Sequence, residues 1–325
     1  MTSKPDSSSG VVSLGDLLRL NPKPPSCLIE PGLLPQQGIL FCGGEPKVGK
    51  SLLVANLALA LAAGSSRTGF GIPAARRVLI CQFELPTEQF AARLWLMRQL
   101  LGPGADDNLC IDTRSAGHLL SSTHGLNHFL AAARAAEADV IVLDPLYSTH
   151  DQDENDTRAM SGLCNTLLRL RDGSRAALIV VHHVRKSIGR YEIGSAFRGS
   201  SALHAVGDSY MLLTRPSPQL NNVELRFQFR YAPPLPPMLL RLDPVSLWFA
   251  SSDQPLQPSE PRRKVETSNV QDALASIGTT AGYNQLRHEI MTLTTCSKRT
   301  AQLAISRACE QGIIHRDNGQ YRLPL

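Results

Sequence analysis

At 325 residues the chain has room for one large domain and a small one. Hydrophobic residues at 42% and charged residues at 19% exclude a fibrous or mainly disordered chain, and a net charge of +5 permits nucleic-acid contact without arguing for it. Seven cysteines, odd in number and never spaced as CxxC, disfavour a disulfide scaffold or a metal site and indicate a reducing cytoplasm.

In chain order, residues 1–24 are rich in Ser and Pro around one short amphipathic piece, VVSLGDLLRL, and are expected to form a flexible arm. The opening MTSKPDSSSG lacks the apolar core of a signal peptide. Residues 25–250 then alternate strand-like and helix-like segments: GILFCG and SLLVANLALALAA, RVLICQFE and TEQFAARLWLMRQLLG, LCIDTRS and GLNHFLAAARAAE, DVIVLD and TRAMSGLCNTLLRLRDG, and AALIVVHHV. That alternation predicts an α/β domain with a mostly parallel sheet covered by helices on both faces. The apolar run Leu52 to Ala63 is too short to span a bilayer, so no membrane association is expected and it reads as a buried helix. After Ser209 only strand-like runs follow (YMLLTR, VELRFQFRY, MLLRLD, SLWFA), which predicts an antiparallel extension of the sheet. The stretch SSDQPLQPSEPRRK, 251–264, is a linker by composition. Residues 265–325 show three helical patterns followed by HRDNGQYRL, a hairpin, and this order predicts a small C-terminal winged helix-turn-helix. Its third helix carries Lys298, Arg299 and Arg307, a DNA-contacting set or a protein-contacting one.

The strand-to-helix junction carries the chemistry. Gly44-Glu45-Pro46-Lys47-Val48-Gly49-Lys50-Ser51, followed by Leu52, matches the phosphate-binding pattern GxxxxGK[ST]. Its glycines let consecutive backbone N–H groups turn inward around phosphates, Lys50 reaches the β- and γ-phosphates, and Ser51 offers a hydroxyl to Mg²⁺. The helix that begins there adds partial positive charge. Asp144, at the end of the apolar DVIVLD, is placed to act as the second acidic group for the metal. Glu84 ends RVLICQFE before Pro86 and is expected one strand from the loop, where it would orient and deprotonate water. The acidic run from Asp151 to Asp156 suits the start of a helix, with Asp156 as its N-cap.

In this order GEPKVGKS, FE, VIVLDP with HDQDENDTRAM, VVHHVRK and FRGSSAL resemble the RecA-type ATPases. Within these the sequence is most similar to the RepA-like hexameric replicative helicases and their AAA_25-type relatives, over roughly residues 25–250. The resemblance implies a RecA-like core that hydrolyses ATP with Mg²⁺, with Lys50, Glu84 and Asp144 in catalysis and Ser51 and Asp144 on the metal. It implies that His183 senses the γ-phosphate, with His182 its structural neighbour. It further implies that Arg230, in VELRFQFRYAP, reaches a neighbouring subunit's nucleotide. Gln228 stands where the family often has a lysine, and Arg215 is the alternative finger. The glycine-punctuated segment VRKSIGRYEIGSAFRGSSAL carries Arg185, Lys186, Arg190 and Arg198, a basic loop suited to a single-stranded phosphate backbone inside a ring.

Two functions follow from this reading. One is a ring-forming homo-oligomer, a hexamer by resemblance, moving on single-stranded DNA as a replicative helicase of a mobile element. The other is a nucleotide-switched DNA-binding regulator that uses its C-terminal unit to find a site; a strand-exchange filament fits less well.

Overall fold

The computed structural model describes residues 11–20, 26–154, 156–184, 193, 197, 201–215, 221–252, 265–294, 296–317 and 319–324. The basic residues Arg185, Lys186, Arg190 and Arg198, and all but the first two linker residues, lie outside this set. The chain divides into two compact units, Met1–Pro255 and Leu256–Leu325.

In the first unit, α1 (Leu14–Arg19) is capped by Ser13 and buries none of its residues. A short hairpin of β1 (Cys27–Ile29) and β2 (Leu34–Pro35) leads into β3 (Ile39–Gly44) and α2 (Lys50–Ala63). Then come β4 (Val78–Gln82), α3 (Thr87–Arg98), β5 (Leu109–Asp112), α4 (Thr123–Ala135) and β6 (Val140–Asp144). These are followed by α5 (Thr157–Ser174), β7 (Ala177–His183), α6 (Ser201–Val206), β8 (Ser209–Thr214), β9 (Asn222–Phe229), β10 (Met238–Leu242) and β11 (Phe249–Ser251). Asp156 caps α5, accepting from the N–H groups of Arg158 and Ala159 at 2.8 and 3.3 Å.

The strands form one sheet in the order β11-β10-β9-β8-β3-β7-β6-β4-β5. Strands β3, β6 and the first six residues of β7 are buried throughout, which is why their sequences are continuous apolar runs rather than alternating ones. The strand-only region begins with a surprise: β8 pairs parallel to β3, and the antiparallel extension starts at β9. The short helix α6 supplies the crossover that a parallel neighbour requires, and its six residues are too few to stand out as a helical period.

One apolar core fills the sheet face under α2 and α3, and a second fills the face under α4, α5 and α6. The far end of the sheet closes back onto the first core through one polar residue. Asn56, buried inside the otherwise apolar α2, donates to Leu247 O at 3.1 Å and accepts from Phe249 N at 2.8 Å. Trp248, fully buried between them, donates its indole N–H to Met97 O at 2.7 Å.

Asp208 ties the other edge of the parallel strands together. Its buried carboxylate accepts from Ile39 N at 2.9 Å and pairs with Arg230 at 3.3 Å. Asp208→Ala would leave the Ile39 N–H buried without that acceptor and is expected to cost about 2–3 kcal/mol in denaturant unfolding. A loss below about 0.5 kcal/mol, the range of ordinary surface substitutions, would show that the latch is not structural.

The second unit contains α7 (Thr267–Ile277), β12 (Thr280–Gly282), α8 (Tyr283–Thr294), α9 (Lys298–Glu310), β13 (His315–Asp317) and β14 (Gln320–Arg322). Its sheet runs β12-β14-β13, all antiparallel, around a core that includes Leu274, Leu286, Ile290, Ile305, Ile314 and Tyr321. Strand β12 is too short to have shown a period in the sequence. Helix α9 buries Ala301, Ala304, Ile305 and Ala308 and exposes Lys298, Arg299 and Arg307.

Candidate active site

All six parallel strands point their C-terminal ends at one edge of the sheet, and four adjacent ones, β3, β7, β6 and β4, supply this site. At the end of β3 the chain must turn sharply between buried neighbours. Gly44 lies in register with His183 of β7 and Leu213 of β8, and a Cβ there would sit 2.7 Å from Leu213 O. The loop then passes through left-handed conformations at Lys47 (φ 63°) and Gly49 (φ 108°), and Gly49 caps α2. This curl leaves the first N–H groups of α2 without helical acceptors, as an anion site requires.

Lys50 is buried, and its Nζ lies 2.9 Å from Gly44 O, 3.0 Å from Glu45 O and 3.1 Å from His183 Nδ1. Burial holds its pKa below the usual lysine value. For Lys50 to donate to His183, Nδ1 must be unprotonated, and burial together with the Lys50 charge lowers the His183 pKa in agreement. Glu45 thereby acquires a role through its carbonyl, and Lys47 through its turn conformation.

Asp144 ends β6, 4% exposed, and accepts from the Ser51 hydroxyl at 3.0 Å. Burial pushes its pKa up to about 6, against the opposing pull of the Ser51 hydrogen bond. Glu84 follows β4, which is the neighbour of β6 and three strands from β3, rather than the strand next to the loop. The expectation of a single-strand separation is therefore corrected. Chain order does not give sheet order, because β7 and β6 are inserted between β3 and β4. The Glu84 carboxylate still emerges at the same edge, beside Asp144, since Gln82 is in register with Asp144.

Tyr147 was not anticipated from the sequence. It stands in a 3₁₀ turn, Leu146–Thr149, directly after Asp144-Pro145. Its hydroxyl donates to Glu84 Oε1, and its ring centroid lies 5.3 Å from that of His183. A tyrosine three residues beyond a strand-ending aspartate was the available signal, and it is too common to be informative alone.

His182 faces the opposite core. It is buried, its pKa is depressed to about 4 by burial, and its ring stacks at 6.3 Å on Phe197. Phe197 fills the space a side chain on Gly43 would need, 2.4 Å from where that Cβ would be. Arg230 is remote from this edge. It follows the C-terminal end of antiparallel β9, at the opposite edge of the sheet, and its guanidinium pairs with Asp208 and donates to Ala205 O at 2.6 Å. Arg215 follows β8 at the loop edge and is exposed. Lys298 and Arg299 belong to the second unit.

Mg²⁺ fits the residues present. Ser51 and Asp144 offer two adjacent hard oxygen donors, and a buried carboxylate of raised pKa is one that gains from a cation.

A mostly parallel sheet with a phosphate loop after one central strand and acidic groups at the same edge, ending β6 and following β4, defines the fold of the RecA-like P-loop ATPases. The chain belongs to the AAA domain family designated AAA_25, whose model matches residues 4–188. Among solved structures, a DnaB-like replicative helicase studied with its primase interactions is similar at 14% identity and TM-score 0.54. That match covers 67% of this chain and 58% of the helicase. An isolated ATPase domain is similar at 16% identity and TM-score 0.50, over 67% of this chain and 86% of that one. At these identities the likeness is one of fold. No curated protein sequence matches significantly. Among the described residues no helix is long and apolar enough to cross a membrane.

Proposed function

We propose that this chain is a cytoplasmic, ring-forming ATPase that moves on single-stranded DNA, a RepA-like replicative helicase of a mobile element. In this reading the loop from Gly44 to Leu52 wraps the phosphates of ATP and Lys50 leaves His183 for the γ-phosphate. Glu84 orients and deprotonates the attacking water. Ser51 and Asp144 would hold Mg²⁺, which neutralises charge on the phosphates when bound. His183, released by Lys50, registers the occupancy of the site.

One observation carries the step from ATPase to motor. Strand β7 ends at His183 and runs on within two residues into the basic stretch that starts at Arg185. Phe197, the residue before Arg198, is fully buried against Phe41, Tyr210 and His182, just behind Gly43. Along the chain, the residues proposed to hold DNA, Arg185, Lys186, Arg190 and Arg198, therefore follow a strand that carries a nucleotide contact and flank a buried aromatic ring, which supports a coupling between the two. An arginine acting on a neighbour's nucleotide must lie away from its own loop, and Arg230 meets that condition better than Arg215. The arm 1–24, core 25–250, linker 251–264 and winged-helix unit 265–325 complete the proposed layout.

The test combines oligomeric mass, ATPase activity with and without single-stranded DNA, and strand displacement on forked DNA. The motor reading expects a ring, stimulation by DNA and displacement. It also expects Arg230→Ala to lose DNA-stimulated turnover with ATP binding intact. A ring that hydrolyses ATP without displacing a strand would sink the helicase. That outcome would favour a nucleotide-switched DNA-binding regulator, the reading supported by the exposed Lys298, Arg299 and Arg307 of α9.

A further inference from the structure

Glu84 is exposed at a strand end, and an exposed carboxylate left to itself samples several rotamers. A base that must meet a water aimed at one phosphorus atom cannot be left so free, because a misplacement of about 1 Å costs roughly 100-fold in rate. The residue that fixes it comes from the neighbouring strand. Tyr147 donates its phenol O–H to Oε1 of Glu84, leaving Oε2 for the water.

The seat of Tyr147 is itself rigid. Its flanking residues Leu146 and Thr149 are fully buried, Thr149 Oγ1 donates to Leu146 O at 2.7 Å, and Leu120 N donates to Thr149 O at 2.6 Å. The Tyr147 ring, by contrast, remains 41% exposed, so packing alone gives little reason for an aromatic residue at this position. Its inner face lies against His183, whose Nδ1 is 3.1 Å from Lys50 Nζ. One continuous line therefore runs from the phosphate-binding lysine through His183 and Tyr147 to Glu84.

We propose that Tyr147 is a positioning residue for the hydrolytic base, holding the Glu84 carboxylate in line with the γ-phosphate through its hydroxyl and setting that line against His183 through its ring. This rests on the reading of Glu84 as the base. Tyr147→Phe deletes one exposed-side hydroxyl and keeps the ring. It is expected to lower kcat for ATP hydrolysis roughly 10- to 100-fold, with the affinity for a non-hydrolysable Mg²⁺–ATP analogue changed less than about 2-fold. In a Glu84→Gln background the same change should have no further effect on turnover, which a merely structural tyrosine would not obey.

A second readout needs no nucleotide. With 3-fluorotyrosine placed at 147, the fluorine resonance of the free protein should shift on Glu84→Gln. Unchanged kcat in Tyr147→Phe, an equal loss in both backgrounds, or a fluorine signal indifferent to Glu84 would each overturn the inference. Full turnover in Glu84→Gln would instead overturn the base assignment, and is told apart from the other failures by that single variant.

Discussion

Glu84→Gln is expected to lower ATP turnover by about 10²–10⁴-fold, the usual range for a lost general base. ATP binding should survive, because the groups assigned to the phosphates, the loop amides, Lys50 and Ser51, lie in the loop after β3 and the first turn of α2, away from β4. The substitution is nearly isosteric and its site exposed, so stability should change by less than about 0.5 kcal/mol. Single-turnover hydrolysis and equilibrium binding of ATP, measured on the same preparation, separate the two effects. Retained turnover would move the role of base to another group at this edge. Loss of ATP binding would show that Glu84 holds nucleotide or structure instead.

Asp144→Asn is expected to act in opposite directions on activity and stability. Turnover with Mg²⁺ should fall by roughly 100-fold or more, since the metal contributes several kcal/mol to the transition state. Stability of the nucleotide-free protein should rise at neutral pH. Burial lifts the Asp144 pKa from 3.8 to about 6, so the folded state prefers the neutral carboxyl. That preference contributes fully below about pH 4 and is lost as pH rises through about 6, where the wild-type group ionises in a buried place. The asparagine stays neutral, and its carbonyl oxygen can still accept from Ser51. The variant should therefore gain up to about 3 kcal/mol over wild type above pH 6, a difference that vanishes near pH 4. Denaturant unfolding at pH 4 and pH 7.5 without Mg²⁺ checks it, and equal stability at both values would refute the buried-charge account. The same titration predicts that the apparent affinity for Mg²⁺ weakens as pH falls through about 6, because a proton then competes for Asp144.

Much of this was legible because it is local. A phosphate loop needs its glycines, lysine and serine within eight consecutive residues, so GEPKVGKS announces itself wherever the chain goes. Asp144 was marked by four apolar residues of strand ahead of it, so that a terminal carboxylate would be leaving the sheet, and Asp156 by the helix it caps. Alternation of buried strands with helices was enough to set the α/β class.

What the sequence left undecided depends on which strands become neighbours, and no period along the chain encodes that. Glu84 lies beside Asp144, and three strands from the loop, because the crossovers insert β7 and β6 between β3 and β4. Strand β8 runs parallel to β3, with the connection 184–208, α6 included, long enough for a parallel crossover. Nothing along the chain marks Asn56, which in the fold holds Leu247 and Phe249, nearly two hundred residues away. For Arg230 the resemblance implied only a reach to a neighbouring subunit's nucleotide, whereas folding within one chain also gives it Asp208. Tyr147 had only an uninformative signal, its place three residues after Asp144, since a phenol becomes chemically significant only when the fold brings Lys50, His183 and Glu84 into line with it. The sequence alone determined that a phosphate is bound and that acids stand ready near it. Only the tertiary structure decided which acid faces which partner, because hydrogen bonds and charges act over a few ångströms of space, whatever the separation along the chain.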